Sequence, residues 1–226
     1  MKFVKLLSTL AFALFAMLFV GCSSERQFLD PAWTQKPAKM KILVTKPTVS
    51  DEENLPDVMD PISDWFREKV DHAMQFNSNV PCVVEKISKK KISHEPLNMS
   101  GVEVQIPKVE SMSDSFDIYM ILDDVQMVFS ESSRTVGGSP VGAVMVVPAG
   151  GAAMAPVASA GITIKGESTE IDANYVVYDV KSGRRLAYGH LEESVFHEEI
   201  AMEQGWYENV RLLMLKILGK TPVTRF

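Results

Sequence analysis

The chain has 226 residues, 29 of them acidic and 23 basic, for a net charge of −6, a balance that disfavours a polyanion such as nucleic acid as partner. Cys22 and Cys82 are its only cysteines. A disulfide-stapled scaffold is thereby excluded, and the fold must rest on apolar burial, for which 46% hydrophobic residues suffice.

Met1, Lys2 and Lys5 form a short positive start, Leu6 to Val20 is apolar but for Ser8 and Thr9, and Gly21-Cys22-Ser23-Ser24 follows. This is the order of a secretory signal: charged start, apolar middle, small residues at the cut. About 15 apolar residues fall short of the roughly 20 that a spanning helix needs, which favours a signal core over an uncleaved anchor. With a cysteine at the cut, the segment resembles a bacterial lipoprotein signal, Phe19 standing where Leu is usual. The resemblance implies cleavage between Gly21 and Cys22 and lipid on the Cys22 sulfur and amine. Ser23 in place of Asp implies the outer membrane. The expected organisation is a signal peptide over 1–21, a tether over 22–39 and a single domain over 40–226. Its mature form has 205 residues, with 21 basic and 29 acidic groups.

Ser23 to Lys39 has two prolines and no sustained period, which reads as the tether, with Trp33 packed back on the domain or set near lipid headgroups. Met40 to Thr45 is an apolar run closed by Pro47 and predicts a strand, with a loop over Thr48 to Pro56. Asp60-Pro61 opens a helix, Asp60 as its cap and Pro61 in the first turn. Ile62, Trp65, Phe66, Val70, Ala73 and Met74 then share one face until about Phe76. Val80 to Ile87 predicts a second strand in which Cys82 is a buried core residue. From Lys89-Lys90-Lys91 to Ser115 the signals are weak, with one short strand at Val102 to Ile106.

Phe116 to Ser130 is the strongest strand. Phe116, Ile118, Met120 and Leu122 hold even positions and Val125, Met127 and Phe129 odd ones, so a bulge or break is expected at Asp123-Asp124. The two acids read as a solvated bulge in preference to a metal or catalytic pair, since adjacent strand residues face opposite ways. Ile171, Ala173, Tyr175 and Val177 alternate with polar residues, Lys181-Ser182-Gly183 supplies a turn, and Arg185 to Phe196 returns. A last helix runs from about Glu198 to Leu218 on a stripe of Trp206, Val210, Leu213, Met214 and Ile217, stopped by Gly219 with Pro222 beyond.

This order predicts an α+β class: a largely antiparallel sheet with two main helices packed on it. Lys41-Ile42-Leu43-Val44, Phe116-Asp117-Ile118-Tyr119 and the hairpin Tyr175-Val176-Val177-Tyr178-Asp179-Val180-Lys181-Ser182-Gly183-Arg184 come before a C-terminal helix. In that arrangement the chain resembles the broad group of envelope lipoproteins that includes the curli-secretion channel subunit and the lipoprotein activators of peptidoglycan synthases. The resemblance implies a domain used for protein contacts.

Thr135 to Ile164 carries no charged residue and holds six glycines and seven alanines, with Pro140, Pro148 and Pro156 spaced eight apart. Such a segment cannot hold a helix. Membrane strands need about 9 to 11 residues, more than the proline spacing leaves, which disfavours a pore hairpin, though Ile162 onward suits a strand. Three readings stay open: an apolar loop over the domain, a protein-partner surface made by Val141, Val144, Met145, Val146, Val147 and Met154, and a membrane-touching loop.

Enzyme signatures fail. Gly137-Gly138-Ser139-Pro140-Val141 lacks the last glycine of a nucleophile elbow. His197-Glu198-Glu199-Ile200-Ala201 lacks the second histidine of a zinc-protease helix. His190 and His197 with Glu192, Glu193, Glu198 and Glu199 match no metal spacing and read as a solvated strand end and helix start. His72 and His94 have no partner visible in sequence. No catalytic residue, metal or cofactor is assigned. The expectation is a binding protein held in the outer membrane by lipid at Cys22, periplasm-facing or surface-exposed, with a protein partner. It would serve envelope assembly or a secretion or transport complex; the alternative is a hydrolase of a wall or surface polymer.

Overall fold

The short apolar runs of the chain pair into one mixed sheet because each buries one face under a helix. The computed structural model describes residues 26–50, 55–136, 142–144, 154–156, 162–197 and 202–225. The strands are β1 (Arg26–Leu29), β2 (Met40–Val44), β3 (Thr48–Val49), β4 (Cys82–Lys86), β5 (Ile92–Met99), β6 (Val102–Val109), β7 (Ile118–Val136), β8 (Gly142–Val144), β9 (Met154–Pro156), β10 (Ile162–Asp179) and β11 (Arg185–His197). The helices are α1 (Ile62–Asn77) and α2 (Met202–Leu218). The main sheet runs β1-β11-β10-β7-β2-β4, with β3 beside the far part of β7. Its β1, β11, β10 and β7 pair antiparallel, whereas β2 is parallel to both β7 and β4. The class is α+β, as expected. Among the described residues no helix is long and apolar enough to cross a membrane.

Both helices lie on one face of the sheet. Trp65, Phe66, Val70 and Met74 of α1 and Trp206, Val210, Leu213 and Met214 of α2 meet Ile42, Met120, Leu122, Val125, Met127, Ile171, Ala173 and Tyr175 in one core. The stripes at three- and four-residue spacing thus face the alternating strand positions. Helix α1 starts differently from the expectation. Pro61 is extended (φ −79°, ψ 134°), sits at the cap position itself and no side chain caps the helix. With Pro61 outside the first turn, Asp60 is one residue too far out to reach the free amides.

The stretch from Lys89 to Ser115 holds more structure than its composition shows. Strands β5 and β6 form a hairpin through Ser100 and Gly101, both at positive φ (54° and 85°), the geometry that a two-residue turn requires. Asn98 Oδ1 accepts the Gly101 amide at 2.9 Å. The hairpin lies across the other sheet face, where Ile92, Val104, Ile106 and Val109 cover Leu43, Tyr119, Ile121, Val176 and Tyr178 in a second core. It is tied down by Tyr178, whose hydroxyl donates to the Pro107 carbonyl at 3.2 Å, and by Arg185 on Glu95 at 2.6 Å.

The expected phase change in β7 is a bulge. Asn174 faces Asp123 and Asp172 faces Gln126, so Asp124 and Val125 together oppose Ala173. Asp124 takes a φ of 51°. Leu122 and Val125, three apart, consequently both reach the helix-covered core at 0% exposure.

One boundary moves. Arg26 to Leu29, read as tether, pairs with His190 to Ala187 as an edge strand, and Trp33 packs into the main core at 8% exposure. The domain therefore takes up the chain from Arg26, fourteen residues before the expected boundary at residue 40. Cys82 lies on the edge strand β4 and is half-buried, not fully buried. Contact between β1 and β11 depends on Gly189, where a Cβ would stand 2.0 Å from the Arg26 carbonyl oxygen and 2.7 Å from the Gln27 Cα. Gly189→Val is expected to release β1 alone. Amide exchange would show residues 26–29 losing protection while β10 keeps it, and the melting temperature should fall by only a few degrees, about 1–2 kcal/mol. Full protection of 26–29 in the variant would contradict this close approach.

Candidate functional site

The bulge gathers titratable groups on the sheet face away from the helices, beyond the cover of the β5–β6 hairpin. Alternation along β10 and β11 puts Asp172 opposite Glu192 and Asn174 opposite His190. Because the bulge turns Asp124 out of the ladder, its carboxylate lies close enough to Asp172 to act on it. Burial first, then Asp124 and Glu192, push the Asp172 carboxyl up to about 6. Glu170, two residues before it on the same face, is also raised, by burial and then by Glu192. Four acids from three strands thus share one patch.

The bases around them are few. His190 Nδ1 donates to Asn174 Oδ1 at 3.0 Å, and burial lowers its affinity for a proton, so it stays neutral at pH 7. Lys89 reaches Asp124 at 3.1 Å. Asp123, whose side chain is 1% exposed, receives His94 Nε2 on Oδ2 at 2.6 Å, while its Oδ1 is buried without a hydrogen-bond partner. Sequence reasoning listed Asp123, Asp124, His94 and His190 separately. The structure brings them to one side of one bulge, and adds Glu170 and Asp172, which the strand pattern did not single out.

Other candidates fall apart. Glu192 and Glu193 point to opposite faces: Glu193 is buried on the helix side, paired with Lys216 of α2. His72 meets the Tyr207 hydroxyl at 2.5 Å and joins α1 to α2. Burial raises the Cys82 thiol, and its Sγ donates to the Val80 carbonyl at 3.0 Å, which leaves little thiolate for chemistry. Glu198, Glu199, Cys22 and the glycine-serine stretch 137–141 lie outside the described residues. Of the expected partner surface, Val141, Met145, Val146 and Val147 also lie outside them. Val144 and Met154 are described and directly opposed, in the β8–β9 pair. Among the described residues no three of His, Cys, Asp and Glu stand together as a metal ion would need.

At the other end of the sheet, a cleft of about 550 Å³ opens between the β10–β11 turn and residues 32–38. Its acids are occupied. Asp117 accepts the amides of Ala38 and Lys39 at 2.7 and 3.1 Å, and Asp179 accepts the Ser182 amide and hydroxyl, which holds its carboxyl below the usual range. That cleft is built to close turns. The patch at the bulge, in contrast, keeps like charges together where neither core requires them, and can attract a cation or a basic segment or hold a proton near neutral pH.

No family model and no curated protein matches the chain. Among solved structures it is similar to the PelC dodecamer from Paraburkholderia phytofirmans, at 9% identity over 89% of this chain and 99% of that one, with a TM-score of 0.35. It is also similar to a neuraminyllactose-binding hemagglutinin homolog from Helicobacter pylori, at 8% identity over 84% and 87% of the two chains, with a TM-score of 0.37. Likenesses at these scores carry no argument about what the chain does.

Proposed function

We propose that this chain is a lipid-anchored binding protein of the cell envelope, accessory to envelope assembly or part of a secretion or transport complex. The anchor rests on the Gly21-Cys22 junction behind its apolar run. The observation that carries the binding role is the patch of Asp124, Glu170, Asp172 and Glu192. Burial, and after it the neighbouring carboxylates, raise two of the four, a cost in stability whose repulsive part a basic partner segment would relieve on docking. The patch lies on a sheet face, and the groups that would make a nucleophile with its base are not assembled there.

The anchor predicts that labelled palmitate enters the wild type and not Cys22→Ala; equal labelling of both would remove it. Binding is tested by crosslinking the protein in its own membranes. The wild type should yield a defined neighbour that is lost in the double variant Asp172→Asn, Glu192→Gln while the chain stays folded. A neighbour kept by that variant would place the contact elsewhere. One observation favours the second reading, a hydrolase of a wall or surface polymer: an aspartic acid titrating at about 6 can donate a proton near neutrality. Release of wall fragments by the wild type and not by Asp172→Asn would select it.

A further inference from the structure

The acids of the cleft between the β10–β11 turn and residues 32–38 close its turns, but its lysines serve neither turn. Each wall is pinned from within. On one side the Gly183 amide donates to the Asp179 carbonyl and the Asp179 amide to the Arg184 carbonyl, both at 2.9 Å, with Gly183 at a φ of 67°. On the other the Asp30 amide donates to the Leu186 carbonyl at 2.7 Å, and Asp30 Oδ1 accepts the Ala32 amide at 2.8 Å. Asp117 joins the two walls, because its carbonyl accepts the Val180 amide at 2.9 Å while its carboxylate accepts the amides of Ala38 and Lys39.

Charge in this cleft is matched on the acidic side and not on the basic side. Asp117 and Asp179 spend their carboxylates on turn groups, and Asp30 takes Arg184 at 3.3 Å. Lys36 and Lys181 remain. Among the described residues neither ammonium group has a hydrogen-bond or ion-pair partner, although both line the cleft. In a chain with 29 acidic residues against 23 basic ones, composition favours a surplus of carboxylates, and here the surplus is two cations with Arg184 beside them.

We propose that this cleft binds a phosphate group, held by Lys36 from one wall and by Lys181 and Arg184 from the other. A phosphate monoester carries about −1.5 to −2 charges at pH 7, which matches two unpaired ammonium groups, and it offers three acceptor oxygens to donors arriving from two sides. Arg184 adds a fork whose donors are not all taken by Asp30. Because backbone bonds fix both walls before any ligand arrives, little is left to order on binding except the lysine side chains. At about 550 Å³ the cleft falls within the range of small-ligand sites, so the phosphate is one carried on a larger polar molecule. The site lies at the other end of the sheet from the acidic patch and stands or falls without it.

The test titrates the full mature chain, in micelles of a neutral detergent, with inorganic phosphate and with glycerol 3-phosphate, followed by calorimetry. Saturable binding is expected. It should weaken about tenfold or more in Lys36→Gln and, independently, in Lys181→Gln, and stay unchanged in Lys90→Gln, an exposed lysine of the turn at 89–91. All three positions are exposed, so the variants should keep the wild-type melting temperature. No saturable binding, or binding that neither cleft variant weakens, would overturn the site, as would tighter binding of acetate than of phosphate. Phosphatidylglycerol added to the micelles separates two sources of the group: competition with glycerol 3-phosphate identifies a lipid headgroup and undiminished binding a soluble ligand, and either result upholds the site.

Discussion

Phe66→Ala is expected to lower the stability of the domain by about 3–5 kcal/mol, the largest single effect predicted for this chain. Phe66 is 0% exposed and sits where α1 meets the sheet, in the core shared with α2. Its removal leaves a cavity that helix and sheet cannot both close over, because each is held by other fully buried neighbours such as Val70 and Met120. For a domain of this size the melting temperature should fall by roughly 6–20 °C. Phe76, ten residues on in the same helix, is 54% exposed. Phe76→Ala should change stability by about 0.5 kcal/mol or less. Thermal unfolding of the two variants side by side is the measurement, and equal losses would show that the core is not where the structure places it.

Asp172→Asn should act in the opposite direction and only above a certain pH. The Asp172 carboxyl lies near 4 in an unfolded chain and at about 6 in the fold, so the folded state holds its proton longer. The sign follows: the contribution to stability is fully present below about 4 and is lost as pH rises through about 6. At pH 7 the fold therefore carries a penalty for an ionised Asp172 beside Asp124 and Glu192. A displacement of that size would correspond to about 3 kcal/mol for a fully buried group, and solvent screening of this half-buried one reduces it to about 1–2 kcal/mol. Asparagine removes the charge and keeps the shape. Melting curves from pH 4 to pH 8 should show Asp172→Asn gaining stability over the wild type above pH 6 and gaining none at pH 4. A gain that is the same at both ends would mean that burial and the neighbouring carboxylates do not raise the Asp172 proton affinity.

Strong periodicity marks the elements that were legible before folding. Helix α1 shows itself in Ile62, Trp65, Phe66, Val70, Ala73 and Met74, helix α2 in its stripe from Trp206 to Ile217, and the bulge in a change of phase that no regular strand permits. Strands β5 and β6 were hidden. Their outer faces are polar, Pro96 and Pro107 interrupt them, and the apolar side that buries them shows only against the second sheet face. The turn Ser100-Gly101 was the one local signal. Strand β1 gave no signal either, since Arg26-Gln27-Phe28-Leu29 is ordered by the edge of β11 and by the absence of a side chain at Gly189.

The candidate site divides in the same way. Cysteine, glycine and the apolar run before them are read in order along the chain, so the lipid-anchor expectation is a property of the sequence alone. So are the acidic balance, the α+β class and the uncharged stretch at 135–164. Only the tertiary structure decides that Asp124, Asp172 and Glu192 meet, because they lie on three strands and their neighbourhood depends on register. A single residue's shift in that register would send Asp172 or Glu192 to the helix face. It also decides the direction in which the ends of β1, β7 and β10 leave the sheet. For β1 that direction is set by strand pairing between residues more than a hundred positions apart, as Arg26 on His190 is, and for β7 and β10 by pairs 26 to 61 positions apart; no local pattern of side chains carries that information.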